Sequence, residues 1–243
     1  MTLLKVVFLW VLLGGSAMAE MDWSRYAAVL DAHVSSGRID GVALNRVDYA
    51  AIATDPRFAN LVSSVRQFDV RTFSKDDEKL AFYINAYNIL TIQLIIDNYP
   101  LESIRDIGNF FKGPWDIVML KNADGDLTLD DIEHKIIRSI PEPRIHFAVN
   151  CASVSCPDLL AEPYTTEMLD SQLDAQTRAF LSNPGKGFRV ERGTAQISRI
   201  FRWYGDDFDA AGGVAAFIRQ YVDEPFKDVR TSLDYNWTLN DAR

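Results

Sequence analysis

"SKDDEKLAFYINAYNILTIQLIIDNYP", residues 74–100, is the stretch on which the fold turns. From Leu80 to Ile96 it is apolar around the whole helical circumference except at Asn85, Asn88, Thr91 and Gln93. A helix apolar on every face belongs in the middle of a domain. Ser74 and Asp77 stand in a capping-box arrangement, with aspartate in place of the usual glutamate. Asn85 and Asn88 share one helical face. Buried amides need partners, so this pair either ties down neighbouring backbone or lines a site.

On the N-terminal side, residues 22–36 put Trp23, Tyr26, Ala27, Leu30 and Val34 on one helical face, with Gly37 as the stop and His33 solvated near the end. A helical pair covers residues 47–68, broken at Asp55-Pro56. On the C-terminal side, "WDIVML" (115–120) reads as a strand, "NADGD" (122–126) as a hairpin turn and "DLTL" (126–129) as the return strand. Thr128 caps a helix that Pro141 and Pro143 stop. "RIHFAVN" (144–150) reads as a strand running into a loop. Residues 165–182 form an amphipathic helix with Met168, Leu169, Leu173 and Phe180 inward. A hairpin (188–198), an aromatic helical piece (199–208), a short helix (213–222) and an extended tail (233–240) complete the chain. Helices and hairpins mix without a βαβ rhythm. The expectation is a helix-rich α+β single domain, its buried central helix packed on a small, mainly antiparallel sheet.

The first residues, "MTLLKVVFLWVLLGGSAMAE", combine a lysine, a short apolar run and the small-x-small pattern Ala17-Met18-Ala19. Residues 1–19 therefore read as a signal peptide and 20–243 as the mature domain, periplasmic or secreted, with no stable membrane anchor after cleavage. A formal charge of -9 argues against a nucleic-acid partner and against an anionic membrane surface.

The chemistry concentrates in "RIHFAVNCASVSCP", residues 144–157. On a strand, Arg144, His146 and Asn150 share the polar face, Cys151 continues the core side, and Cys156 returns toward His146 beyond the "ASVS" loop. In one reading Cys156 is the nucleophile of an acyl-transfer or amide-hydrolysing enzyme, His146 its base, and Asn85, Asn88 or Asn150 the amide that orients the imidazole. Its substrate would be a peptide or a small acyl compound, and it needs no cofactor. In a second reading Cys151 and Cys156 form a disulfide that shapes a non-catalytic module for a peptide, glycan or protein partner. In a third, His134, His146, Cys151 and Cys156 hold zinc, although their spacing matches no zinc-finger pattern. Asn122 to Glu133 also spaces oxygen side chains like a calcium loop, but Leu127 stands where the turn needs glycine. An Asp-Gly hairpin feeding a capped helix accounts for the same letters. Arg144, Glu133, His134 and Trp203 are candidate binding residues. Asp206 and Asp207 stand too far from any histidine in sequence to be assigned.

Several stretches together resemble the family known as domain of unknown function 547. They are "AFYINAYNILTIQLIIDNYP", "SIRDIG", "LTLDDIEHKIIR", "RIHFAVNCASVSCP" followed by "YTTEMLDSQLDAQTRAFL", "ISRIFRWYGDDF" and "DYNWTLND". The resemblance spans about residues 80–240, with Tyr83 where a tryptophan is expected. It implies functional roles for Asn85, Asn88, Glu133, His134, His146, Cys151, Cys156 and Trp203, and it brings no settled reaction.

Overall fold

The computed structural model describes residues 21–109, 111–122 and 125–243, and the expected signal peptide lies outside the described residues. Helix α1 (Ser24–His33) passes directly into a hairpin of β1 (Val34–Ile39) and β2 (Val42–Val47). The expected helix to residue 36 therefore ends at His33. Asp40 and Gly41 both take positive φ, 50° and 82°, the twist of a tight two-residue hairpin turn. That Asp-Gly signal is what overrides the helical periodicity. His33 is not simply solvated: its Nε2 lies 2.9 Å from Asp55 Oδ2.

Helices α2 (Tyr49–Ile52) and α3 (Pro56–Gln67) form the broken pair, with Asp55 capping α3 ahead of Pro56. Helix α4 (Asp76–Asp97) is the buried centre, and every residue from Leu80 to Ile92 is inside the protein. Asp76, Asp77 and Glu78 place negative charge at its N-terminus, where the helix dipole favours it. Ser74 pairs with Glu78, its backbone N–H donating over 2.8 Å, rather than with Asp77. The helix begins one residue later than a Ser74 cap requires, so the reach shifts by one. By length and composition α4 would cross a membrane, but 83% of its apolar window is covered by protein. Each fully buried Ile or Leu here stabilises the fold by about 1.5–3 kcal/mol.

Strands β3 (Val118–Asn122) and β4 (Gly125–Thr128) pair antiparallel. Thr128 and Asp131 then form a reciprocal capping box on α5 (Leu129–Asp131). This is a hairpin feeding a capped helix, not a loop between two helices as calcium binding of that type needs. The helical path continues through a widened π turn, Ile132–Ile136, and a 3-10 turn, Ile137–Ser139.

Residues 143–147 form a 3-10 turn and not a strand. Pro143 presets helical φ at its first position, and the Glu142 carboxylate accepts from Arg144 N–H at 3.0 Å, so the local chemistry starts a turn. Helix α6 (Leu169–Leu181) buries Leu169, Leu173 and Phe180, while Met168 is outside it and 46% exposed. Strands β5 (Phe188–Glu191) and β6 (Thr194–Ile197) form a hairpin, to which β7 (Asp228–Arg230) adds in parallel. Helices α7 (Ile200–Trp203) and α8 (Val214–Ile218) flank a 3-10 segment, Gly205–Ala211.

The architecture is α+β, as expected. Among the described residues its sheets are three small separate ones, antiparallel except for the β6–β7 pair. One apolar cluster surrounds α4; a second gathers Phe180, Phe201, Phe208 and Phe217. The 143–149 segment runs between them, with Ile145 in the first cluster and Phe147 in the second. His146 is thereby fixed between the two cores.

Candidate functional site

Three asparagine side chains tie the cysteine segment and Tyr164 to α4 and close the cysteine loop. Asn88 donates to Ala148 C=O at 3.0 Å and accepts from Asn150 N–H at 2.8 Å. Asn85 does the same for Tyr164, donating to its carbonyl at 2.7 Å and accepting from its N–H at 2.9 Å. Asn150 closes the loop, donating to Pro157 C=O at 2.7 Å and accepting from Ala152 N–H at 2.9 Å. All three amides are thus spent on backbone, and the expected role of orienting the imidazole falls to another residue. Beneath the loop the buried Lys186 donates to Cys156 C=O at 2.8 Å and pairs with Asp158 at 2.7 Å. Ala152 is held at φ 59°, a left-handed conformation uncommon outside glycine, immediately after Cys151.

The C-terminal tail forms the other side. Val154 N–H donates to Thr238 C=O at 2.9 Å and Ser155 N–H to Asn236 C=O at 3.1 Å, so the tail lies along the cysteine loop. That pairing delivers Tyr235 and Trp237 to the site. Between loop, tail, α5 and α7 opens a cavity of about 410 Å³. Cys151, Cys156, His146, His134, Glu133 and Trp203 all line it. Arg144 does not: it is held by Glu142 at 2.6 Å and Asp170 at 2.8 Å. With no strand at 144–150 there is no polar strand face to aim it inward.

His146 is 2% exposed, and its Nε2 stands 2.7 Å from Asp207 Oδ2. The carboxylate accepts, so Nε2 carries the proton and Nδ1 has its lone pair free. Nδ1 is buried and has no hydrogen-bond partner among the described residues. The Tyr204 ring stacks on the imidazole with centroids 4.0 Å apart, and its hydroxyl donates to Glu133 Oε1 at 2.6 Å. Burial pushes the imidazole below its ordinary pKa while the Asp207 hydrogen bond opposes that shift. The imidazole is therefore neutral at physiological pH. Asp207 is lowered, first by Arg138 and then by His146.

The two sulfur atoms lie 2.8 Å apart, and both thiols are free. Cys156 is buried at 4% exposure, whereas Cys151 is half-buried. Burial works to raise the Cys151 thiol, but hydrogen bonds with Cys156, Ser153 and Tyr235 together bring it below its ordinary value. Burial and the neighbouring Cys151 drive Cys156 the other way, well above its ordinary value. Of the two thiols Cys151 is therefore the more readily ionised, and Cys156 is the one that keeps its proton. The expected order of burial, Cys151 inside and Cys156 the more accessible, is reversed. It depended on a strand that does not form.

Among the described residues no group of three or more His, Cys, Asp or Glu side chains is arranged to hold a metal ion. His134 is engaged instead with Asp130 at 3.3 Å and Arg138 at 2.7 Å. The π turn places Glu133 and His134 on the cavity wall, and such widened turns recur at functional sites. Sequence reasoning missed Tyr204, Asp207, Tyr235 and Trp237. The aromatic richness of 201–208 and 235–237 was visible, but nothing local to those stretches says what they face.

Residues 70–181 match the model of a family described as protein of unknown function, DUF547. No curated protein and no solved structure matches the chain. The matched span includes Asn85, Asn88, Glu133, His134, His146 and both cysteines, while Trp203, Asp207 and the tail lie beyond it. Across residues 70–181, then, the chain carries a domain of the DUF547 family.

Proposed function

We propose that the cavity is the site of a thiol-dependent enzyme of acyl transfer or amide hydrolysis, with Cys151 as nucleophile and His146 as base. The observation that carries this is the histidine: Nε2 is held by Asp207, and the free lone pair of Nδ1 belongs to a residue lining the same cavity as the lowered Cys151 thiol. A nucleophile, a base and a group that orients the base are the parts such chemistry requires.

In the reaction, Nδ1 takes the Cys151 proton as sulfur attacks the carbonyl carbon. The C–S bond forms while the carbonyl π pair moves to oxygen. Collapse breaks the C–N bond, and the leaving amine takes the proton from Nδ1. Water, or an acceptor amine, then gives its proton to Nδ1 and attacks the thioester; the Cys151 thiolate leaves and is reprotonated from Nδ1. Neither sulfur is hydrogen bonded to the imidazole in the free protein; such contacts commonly tighten on substrate binding.

The test is acyl trapping. Reduced protein is treated with p-nitrophenyl acetate and its intact mass followed in time. The expected result is one acetyl group on Cys151, gained and then lost, absent in Cys151→Ala and slowed in His146→Gln. Unchanged acetylation in Cys151→Ala would overturn the reading.

The short sulfur separation favours one rival. Oxidised to a disulfide, Cys151 and Cys156 would stiffen the rim of a non-catalytic exported module that binds a peptide or glycan. Protein purified without reductant would then resist iodoacetamide and be lighter by two hydrogens than after reduction.

A further inference from the structure

The cavity wall has an uneven electrostatic make-up. Its charged lining among the described residues is Asp116, Asp130 and Glu133, with neither lysine nor arginine. Among the described ion pairs none involves Glu133, although that residue is 5% exposed. Its Oε1 accepts from Tyr204, and no other hydrogen bond to its side chain occurs among the described residues. The Arg138 guanidinium feels the Glu133 charge, but it donates hydrogen bonds to Asp207, at 2.7 and 2.8 Å, and not to Glu133. A buried carboxylate without a counter-ion is costly, and an incoming cation removes that cost.

The remaining wall is aromatic. Trp115, Trp203, Tyr235 and Trp237 form a connected set, with ring centroids between 4.6 and 6.0 Å apart. Trp203 is 45% exposed even though its ring packs against Tyr235 and Trp237. Aromatic faces carry negative potential and attract cations. The protein already does this at two rings of the lining, with the Arg105 guanidinium 5.3 Å from the Trp237 ring centre and that of Arg138 5.1 Å from the Tyr204 ring centre. A neutral glycan would also stack on indoles, but it would leave the Glu133 charge uncompensated. The unpartnered His146 Nδ1 marks the reacting end of the same cavity.

We propose that the cavity takes a substrate bearing an ammonium group, primary or quaternary, seated between the Glu133 carboxylate and the rings of Trp203, Tyr235 and Trp237. The inference rests on the reading of this cavity as the substrate site and names the chemistry of what enters it. Acyl donors with a cationic side chain, or cationic amine acceptors, would place the ammonium at the aromatic end and the carbonyl at Cys151.

The test measures binding on full-length Cys151→Ala protein, so it does not depend on turnover. Tryptophan fluorescence is followed against n-butylammonium, tetramethylammonium, the neutral isostere tert-butanol, and methyl glucoside. Both cations should give saturable changes, with tert-butanol at least roughly tenfold weaker. Glu133→Gln, checked for folding by its thermal transition, should weaken the cations roughly tenfold. Should that variant fail to fold, Asp130→Asn at a half-exposed position should still weaken them, by roughly threefold. Equal responses to tetramethylammonium and tert-butanol, or saturation by the glucoside alone, would overturn the proposal. Cation binding to a protein whose Cys151 never acylates would leave the proposal standing and sink the thiol chemistry instead.

Discussion

His146 Nε2 and Asp207 Oδ2 stand 2.7 Å apart across sixty-one positions of sequence. The same carboxylate receives Arg138 through both oxygens, at 2.7 and 2.8 Å. A bidentate guanidinium fixes the plane of the carboxylate, and the carboxylate in turn fixes the imidazole tautomer. The imidazole is therefore positioned through a chain of three side chains, not through the asparagines of α4.

Asp207→Asn replaces an acceptor with an amide that cannot serve Arg138 and His146 together. Acetylation of Cys151 by p-nitrophenyl acetate is expected to slow by roughly a hundredfold, since general-base assistance is worth that or more. The His146 pKa should move lower still, because the hydrogen bond opposing burial is gone. Proton NMR of the imidazole reads this directly. A rise in that pKa would contradict the assignment.

Both members of the pair make the fold acid-sensitive. His146 has a folded pKa below its ordinary value of 6.5, so its contribution is complete above that value and is lost as pH falls through the folded pKa. Asp207, also depressed, contributes fully above the ordinary carboxylate value of 3.8 and loses it lower down. Urea midpoints should therefore fall from about pH 7 toward pH 5, and again below about pH 4. His146→Gln should flatten the first decline and Asp207→Asn the second. Declines that survive both substitutions would point to other groups.

Cys156 supports a charge on Cys151, so Cys156→Ala should raise the apparent pKa at which iodoacetamide labels Cys151. Tyr235→Phe removes a hydroxyl 3.3 Å from the same sulfur and should act in the same direction, more weakly. In the unsubstituted reduced protein Cys151 should label first and Cys156 only on unfolding. Peptide mapping after timed alkylation distinguishes the sites, and preferential labelling of Cys156 would exchange the roles of the two sulfurs.

Asn88→Ala removes two hydrogen bonds and strands the buried Ala148 C=O and Asn150 N–H. A cost of about 2–4 kcal/mol in urea unfolding is expected, from two unsatisfied buried backbone groups. Asn85→Ala should cost a similar amount through Tyr164. The two should differ in function: Asn88 borders the cysteine loop, so its loss should also slow Cys151 labelling, whereas Asn85 should leave the labelling rate nearly unchanged. Equal effects on labelling would show that the loop is held by global stability alone.

Helix α4 was legible in sequence because an all-apolar circumference leaves it one destination, the interior. The hairpins at β3–β4 and β5–β6 and the Thr128 cap were legible for a local reason: turn and cap chemistry acts over two to four residues. The Asp40-Gly41 turn was equally local, but the helical periodicity ahead of it ran past His33 and concealed it. The 143–147 turn was not legible, because alternation of polar and apolar residues fits both a strand and a tight helical turn over so short a span.

What the chain determined by itself is the core helix, the residue types of the site and the obligation of Asn85 and Asn88 to find partners. Which partners, and which cysteine is the more deeply buried, was decided in three dimensions. Asp207 reaches His146 only because the 3-10 segment after α7 packs its phenylalanine into the core that also holds Phe147. Tyr235 and Trp237 arrive only because the tail bonds along the cysteine loop. The free energy of such contacts depends on distance in space, and a pattern read along the chain carries no information about that distance.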